Sequence, residues 1–137
     1  AIMEAAVKGR TLVRAIAYVI KTEETTREKF YDALTKIGFE VKGKELQIFA
    51  GGAKKGDWDV GIATDAIELA PRLDTIVLVS GDGDFKPLLQ HLRRAQGCRV
   101  ELVAFGKSAS KLVKDEADEF TDLDKDSKKY LIKTRGR

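Results

Sequence analysis

The stretch Thr75-Ile76-Val77-Leu78-Val79-Ser80-Gly81-Asp82-Gly83-Asp84-Phe85 decides how the rest of the chain is read. Thr75–Ser80 is β-branched and apolar almost without a break, the pattern of a strand covered on both faces. Such strands belong to parallel sheets, and open α/β sheets bind ligands beyond the carboxyl ends of their strands. The acidic turn that follows therefore stands where a ligand would sit. Its glycines permit a tight turn, and carboxylates two residues apart can converge on one cation. Hard oxygen donors of this kind suit Mg²⁺ or Mn²⁺. A purely local alternative makes Asp84 the cap of the next helix and Asp82 a turn residue. D-x-D after a strand also occurs in Toprim domains, phosphatases and glycosyltransferases.

Working outward, Val100–Phe105 reads as a second buried strand, and Leu12–Ile20 and Leu46–Ala50 as further ones. Helices fall between them. Thr25 and Glu28 form a capping box for a helix to about Ile37, with Gly38 as its left-handed stop. A second helix runs Asp59–Ala70 and ends at Pro71. Phe85, Leu88, Leu89 and Leu92 mark the buried face of a third, closed by Gly97. Ser108 or Ser110 can cap a fourth, through about Ala117. Gly51–Gly56 reads as a short loop. The alternation predicts an open α/β fold with a parallel sheet and helices on both faces. Residues 1–7 read as the end of a helix with no strand before it.

Asp59 strengthens the metal reading. With Asp59 at zero on a helical wheel, Ala70 lies at about 20°, Ala63 at about 40° and Ala66 at about 340°. The carboxylate thus stands in the middle of an apolar stripe, a costly position unless it is paired or metal-bound. The helix N-terminus offsets only about 0.3–1 kcal/mol of that cost. The alternative is that Asp59 merely caps the helix beside Asp57. Asp65 falls at about 240°, toward the polar face, and would be an edge ligand. Lys54, Lys55 and Lys86 could hold an anionic substrate, and Ser80 could hydrogen-bond a metal-bound water; each could equally be an ordinary surface side chain. Trp58 and Phe85, which flank these acids, read as core packing, His91 as surface and Cys98 as small filler.

Composition narrows the classes. The chain has 137 residues, 43% hydrophobic and 34% charged, with a single cysteine and a single histidine. That excludes an internal disulfide framework and zinc sites built on cysteine or histidine clusters. The longest apolar run falls far short of the roughly 20 residues a spanning helix needs, and no signal peptide opens the sequence. A soluble, cytoplasmic domain is expected. Residues 124–137 carry six basic and two acidic side chains, a net of +4, leaving 19 basic and 20 acidic residues, a net of −1, in 1–123. The division expected is a domain over 1–123 and a basic C-terminal tail over 124–137. Such a tail can hold a polyanion or simply be solvated. There is no P-loop, dinucleotide fingerprint or G-x-S-x-G.

Lys55-Gly56-Asp57-Trp58-Asp59-Val60, then Asp74 through Phe85, then Pro87-Leu88-Leu89, together resemble the NYN domain of the LabA-like group. Gly97, Val100–Phe105, Ser110-Lys111-Leu112 and Ala117-Asp118-Glu119-Phe120 continue the match, which covers about residues 10–123. The resemblance implies a three-layer PIN-like nuclease fold with an acidic Mg²⁺ or Mn²⁺ pocket. By position the pocket acids would be Asp59, Asp82 and Asp84, with Asp65 matching a further family-typical acid. It implies endonucleolytic cleavage of RNA, single-stranded RNA being the favoured substrate. It also implies a first strand ending in D-x-x-N, whose aspartate is a metal ligand. The sequence contains no asparagine. The expectation is that this strand and its ligand are missing from these 137 residues, leaving strand edges that favour either a homo-oligomer or instability. The rival expectation is a catalytically idle NYN domain that binds RNA or protein as a scaffold.

Overall fold

The computed structural model describes residues 2–21, 27–45, 47–48, 54–55 and 58–126. They form a mixed α/β chain in which every ladder but one is parallel. Two compact units result, residues 11–62 and residues 1–10 with 63–137.

In the unit 11–62, β1 (Ile16–Lys21) pairs in parallel with β2 (Glu40–Glu45), joined through helix α2 (Arg27–Ile37). Gly38, at φ 117°, ends α2 as expected, and the Phe39 amide donates back to the Leu34 carbonyl at 3.1 Å, a Schellman-type end. Thr25 of the expected capping box lies outside the described residues. The strand at Leu12–Ile20 begins only at Ile16, and Leu12 and Val13 are exposed. Lys54 and Lys55, expected in a loop, form a short strand β4 (Lys54–Lys55) antiparallel to β3 (Gln47–Ile48).

The larger unit carries a parallel sheet in the order β5 (Thr75–Val79), β6 (Arg99–Ala104), β7 (Glu119–Asp122). Helix α4 (Lys86–Arg94) joins β5 to β6, and α5 (Lys111–Glu116) joins β6 to β7. The apolar face assigned to α4 is the buried one: Phe85, Leu88, Leu89 and Leu92 are all inside. They pack in one core with Val100, Leu102 and Val103 of β6, Val113 of α5 and Leu123. Fully burying each such side chain is worth about 1.5–3 kcal/mol. The strand covered on both sides is β6, whereas β5 is half-buried and Val79 is 51% exposed. Position explains this: β6 has ladder partners on both edges, and β5 has one among the described residues.

The N-terminal residues of the larger unit meet its sheet at one ionic cluster. Helix α1 (Ile2–Val7) stops where Lys8 and Gly9 take left-handed φ values of 52° and 75°. Arg10 then turns back, donating to the Ala6 and Val7 carbonyls and gripping the buried Glu101 of β6 with two bonds of 2.8 and 2.9 Å. Arg99 donates to the same carboxylate at 2.8 Å, and Lys8 reaches both Glu101 and Glu119.

Candidate metal centre

The acid turn is built by its own backbone. After β5 the chain enters a 3₁₀ turn over Gly83–Phe85, and the Asp82 carboxylate accepts the Asp84 amide at 2.9 Å. The capping residue is therefore Asp82, not Asp84 as the local reading has it, because Asp82 is the one with extended backbone at the turn's entrance. Ser80 Oγ accepts the Asp82 amide at 3.2 Å. Its hydroxyl thus braces the turn from the strand end. Asp82 and Asp84 are exposed, as a ligand loop at a sheet end requires.

Gly81 and Gly83 have a different purpose from the one their sequence suggests. Neither has a positive φ. What they provide is room. A Cβ on Gly81 would lie 2.8 Å from the Ala109 Cα, and one on Gly83 would lie 2.7 Å from Ser110 Oγ. The Ser110 amide donates to the Gly81 carbonyl at 2.9 Å, and Ser110 also caps α5 by accepting the Leu112 amide. The segment before α5 is thus the wall against which the acid turn is formed. Sequence reasoning assigned Ser110 only a helix cap; the paired glycines facing a small-residue Ser-Ala-Ser were the available sign of close approach.

Asp59 is the first residue of α3 (Asp59–Leu69), which ends in a 3₁₀ turn containing Pro71. Within its unit the start of α3 is anchored by Trp58. The indole Nε1 donates to the Val19 carbonyl at 2.8 Å, and the ring lies 5.3 Å from that of Tyr18. Gly61 admits the same indole, since a Cβ there would be 2.5 Å from it. Trp58 is packing, as expected. Asp59 is half-buried at the head of α3, and Asp59, Asp82 and Asp84 each offer a carboxylate oxygen within 4.8 Å of the others.

The donor set fits a hard divalent cation: all three groups are carboxylates, and exposure on one side leaves room for waters. Asp65 is not part of this group, consistent with its position on a different side of α3. Ser80 and Lys86 are half-buried at the two ends of the acid turn. Lys54 and Lys55 are placed by the β3–β4 ladder alone. His91 is exposed, and Cys98 is buried with its thiol pushed up by burial and by Asp74.

Comparison with known proteins gives the family. A family model described as "NYN domain" matches residues 1–124. The chain belongs to the NYN domain family. A curated relative, the Low amplitude and bright protein LabA of Synechococcus elongatus, is 28% identical over 129 residues, covering 90% of this chain and 68% of its own. A crystal structure of a protein of unknown function from Vibrio parahaemolyticus superposes with a TM-score of 0.75 at 40% identity, covering 81% of this chain and 68% of that one. This NYN domain is of the LabA-like group, and NYN domains fall in the PIN-like nuclease superfamily. The α/β architecture with parallel ladders is the PIN-like one. No helix among the described residues is long and apolar enough to cross a membrane.

Proposed function

We propose that this NYN domain is a metal-dependent endoribonuclease that hydrolyses phosphodiester bonds in single-stranded RNA. The observation that carries this is the convergence of three carboxylates, remote in sequence, in a chain of a nuclease superfamily. Asp59, Asp82 and Asp84 would hold Mg²⁺ or Mn²⁺, and Asp65 would act from the edge. When bound, such an ion activates water and stabilises charge building on the phosphoryl oxygens. The chain's own residues do the positioning. Asp82 keeps its turn closed through the Asp84 amide while a second oxygen of the same carboxylate remains to coordinate. Ser80 holds that turn to the strand end. Lys54, Lys55 and Lys86 would contribute phosphate affinity without reading sequence, as would the basic tail beyond the 1–123 domain. A cytoplasmic site of action accords with RNA as substrate.

Incubation of labelled RNA with Mg²⁺ or Mn²⁺, against chelator, tests the reading. Cleavage should require the ion, and Asp82→Asn should cost about 2–3 kcal/mol of transition-state stabilisation, roughly 100-fold in rate. Equal cleavage by Asp82→Asn would overturn it. Metal-independent RNA binding without cleavage would favour the scaffold reading instead.

A further inference from the structure

The segment that walls the acid turn carries its own chemistry. Together with Gly106 before it, Lys107-Ser108-Ala109-Ser110-Lys111-Leu112 is pinned at three points. The Gly106 amide donates to Asp122 at 2.9 Å, the Lys107 amide to Asp124 at 2.8 Å, and the Ser110 amide to the Gly81 carbonyl. The two amides that Asp122 accepts, from Gly106 and Asp124, hold its carboxyl below the usual range. On this fixed backbone Lys107, Lys111 and Leu112 are exposed. Neither Lys107 nor Lys111 has an ion pair among the described residues, whereas neighbouring Lys114 donates to the Gly106 carbonyl and lies over the Phe120 ring. Leu112 is 53% exposed although its Cδ1 is only 3.6 Å from where a Gly83 Cβ would stand. An exposed leucine thus lies beside the glycine between the two exposed acids, on a segment whose Lys107 and Lys111 have no ion pair among the described residues.

We propose that Lys107–Leu112 is a rest for single-stranded RNA beside the acid turn, with Lys107 and Lys111 on phosphates and Leu112 against a base. This rests on the nuclease reading for the identity of the polymer. The chemistry is complementary: a polyanion needs cations offset from the acids, and a base with both faces free needs an apolar surface. Because the segment is hydrogen-bonded to the acid turn and packed against its glycines, a strand seated on one is held in register with the other.

Fluorescence anisotropy with a short labelled oligouridine, in chelator and over a salt series, tests the proposal. Lys107→Ala/Lys111→Ala should weaken binding about tenfold and flatten the slope of log affinity against log salt by about 1.4, the value for two lost phosphate contacts on a single strand. Leu112→Ala should weaken binding about fivefold with the slope unchanged, since no charge is removed. Arg72→Ala, in the exposed turn before β5 at that strand's other end, should change neither. Wild-type affinity and slope in the double lysine variant would overturn the proposal, as would the absence of salt-dependent binding by the unsubstituted protein. The cleavage assay separates the two readings. Cleavage with an unaltered slope in the double variant leaves the nuclease standing and removes the rest, and a flattened slope without cleavage does the reverse.

Discussion

Asp82 caps its turn with the same carboxylate that the proposed function assigns to the metal, and substitutions can separate the two. An asparagine keeps an oxygen for the Asp84 amide and removes the charge, so Asp82→Asn retains the turn. An alanine removes both, with loss of about 1 kcal/mol for the cap. Asp59 is different. In the proposed function its carboxylate is one of three ligands, so Asp59→Asn should lose the rise in melting temperature that Mn²⁺ is expected to give the unsubstituted protein. Thermal melts with and without Mn²⁺ check this. An equal rise in both proteins would remove Asp59 from the ligand set.

At the scale of elements, the contact between the acid turn and the segment before α5 is the joint on which the site depends. Gly81→Ala places a Cβ against the Ala109 backbone, which cannot swing aside as a long side chain could. The expected cost is about 1–3 kcal/mol in urea unfolding, with weakened Mn²⁺ binding because the turn is displaced. An unchanged midpoint would show that the wall yields. The same scale shows what could be read from the sequence. β5, β6, α4 and the start of α3 were legible because their side chains repeat at strand or helix period, and Asp59 stood out as a charge in an apolar stripe. β2 (Glu-Val-Lys-Gly-Lys-Glu) and β7 (Glu-Phe-Thr-Asp) were not, because charges and a glycine hide any strand signal. They are strands through their neighbours: β2 takes its register from β1 and β7 from β6. Lys107 and Lys111 carried no periodic signal either, since the segment they sit on is placed by one turn packing against another.

Over the whole molecule, the larger unit joins its N-terminal residues to the sheet through Glu101, 91 residues from Arg10. A lone glutamate inside Val-Glu-Leu-Val gives no hint of a partner, so this closure was invisible to pattern. Its pH signature is definite. Hydrogen bonds from Arg10, and then Arg99, lower the Glu101 carboxyl from the usual 4.5 to about 2 against the opposing effect of burial. The folded pKa is depressed, so the stabilisation is present above the unfolded value and is lost as pH falls through the folded one. A shift of this size corresponds to about 3 kcal/mol, reduced to about 1–2 kcal/mol because Lys8, Arg10 and Arg99 are partly exposed and screened. Glu101→Gln should lower stability near pH 7 by about that amount or somewhat more, because the remaining cations lose their common anion. Its acid limb should also be flatter between about pH 4.5 and 2. Urea unfolding across that range, on both proteins, measures each effect. Parallel acid limbs for the two would show that the carboxylate titrates alike in the folded and unfolded chain, and this charge would then not be what joins the N-terminal residues to the sheet.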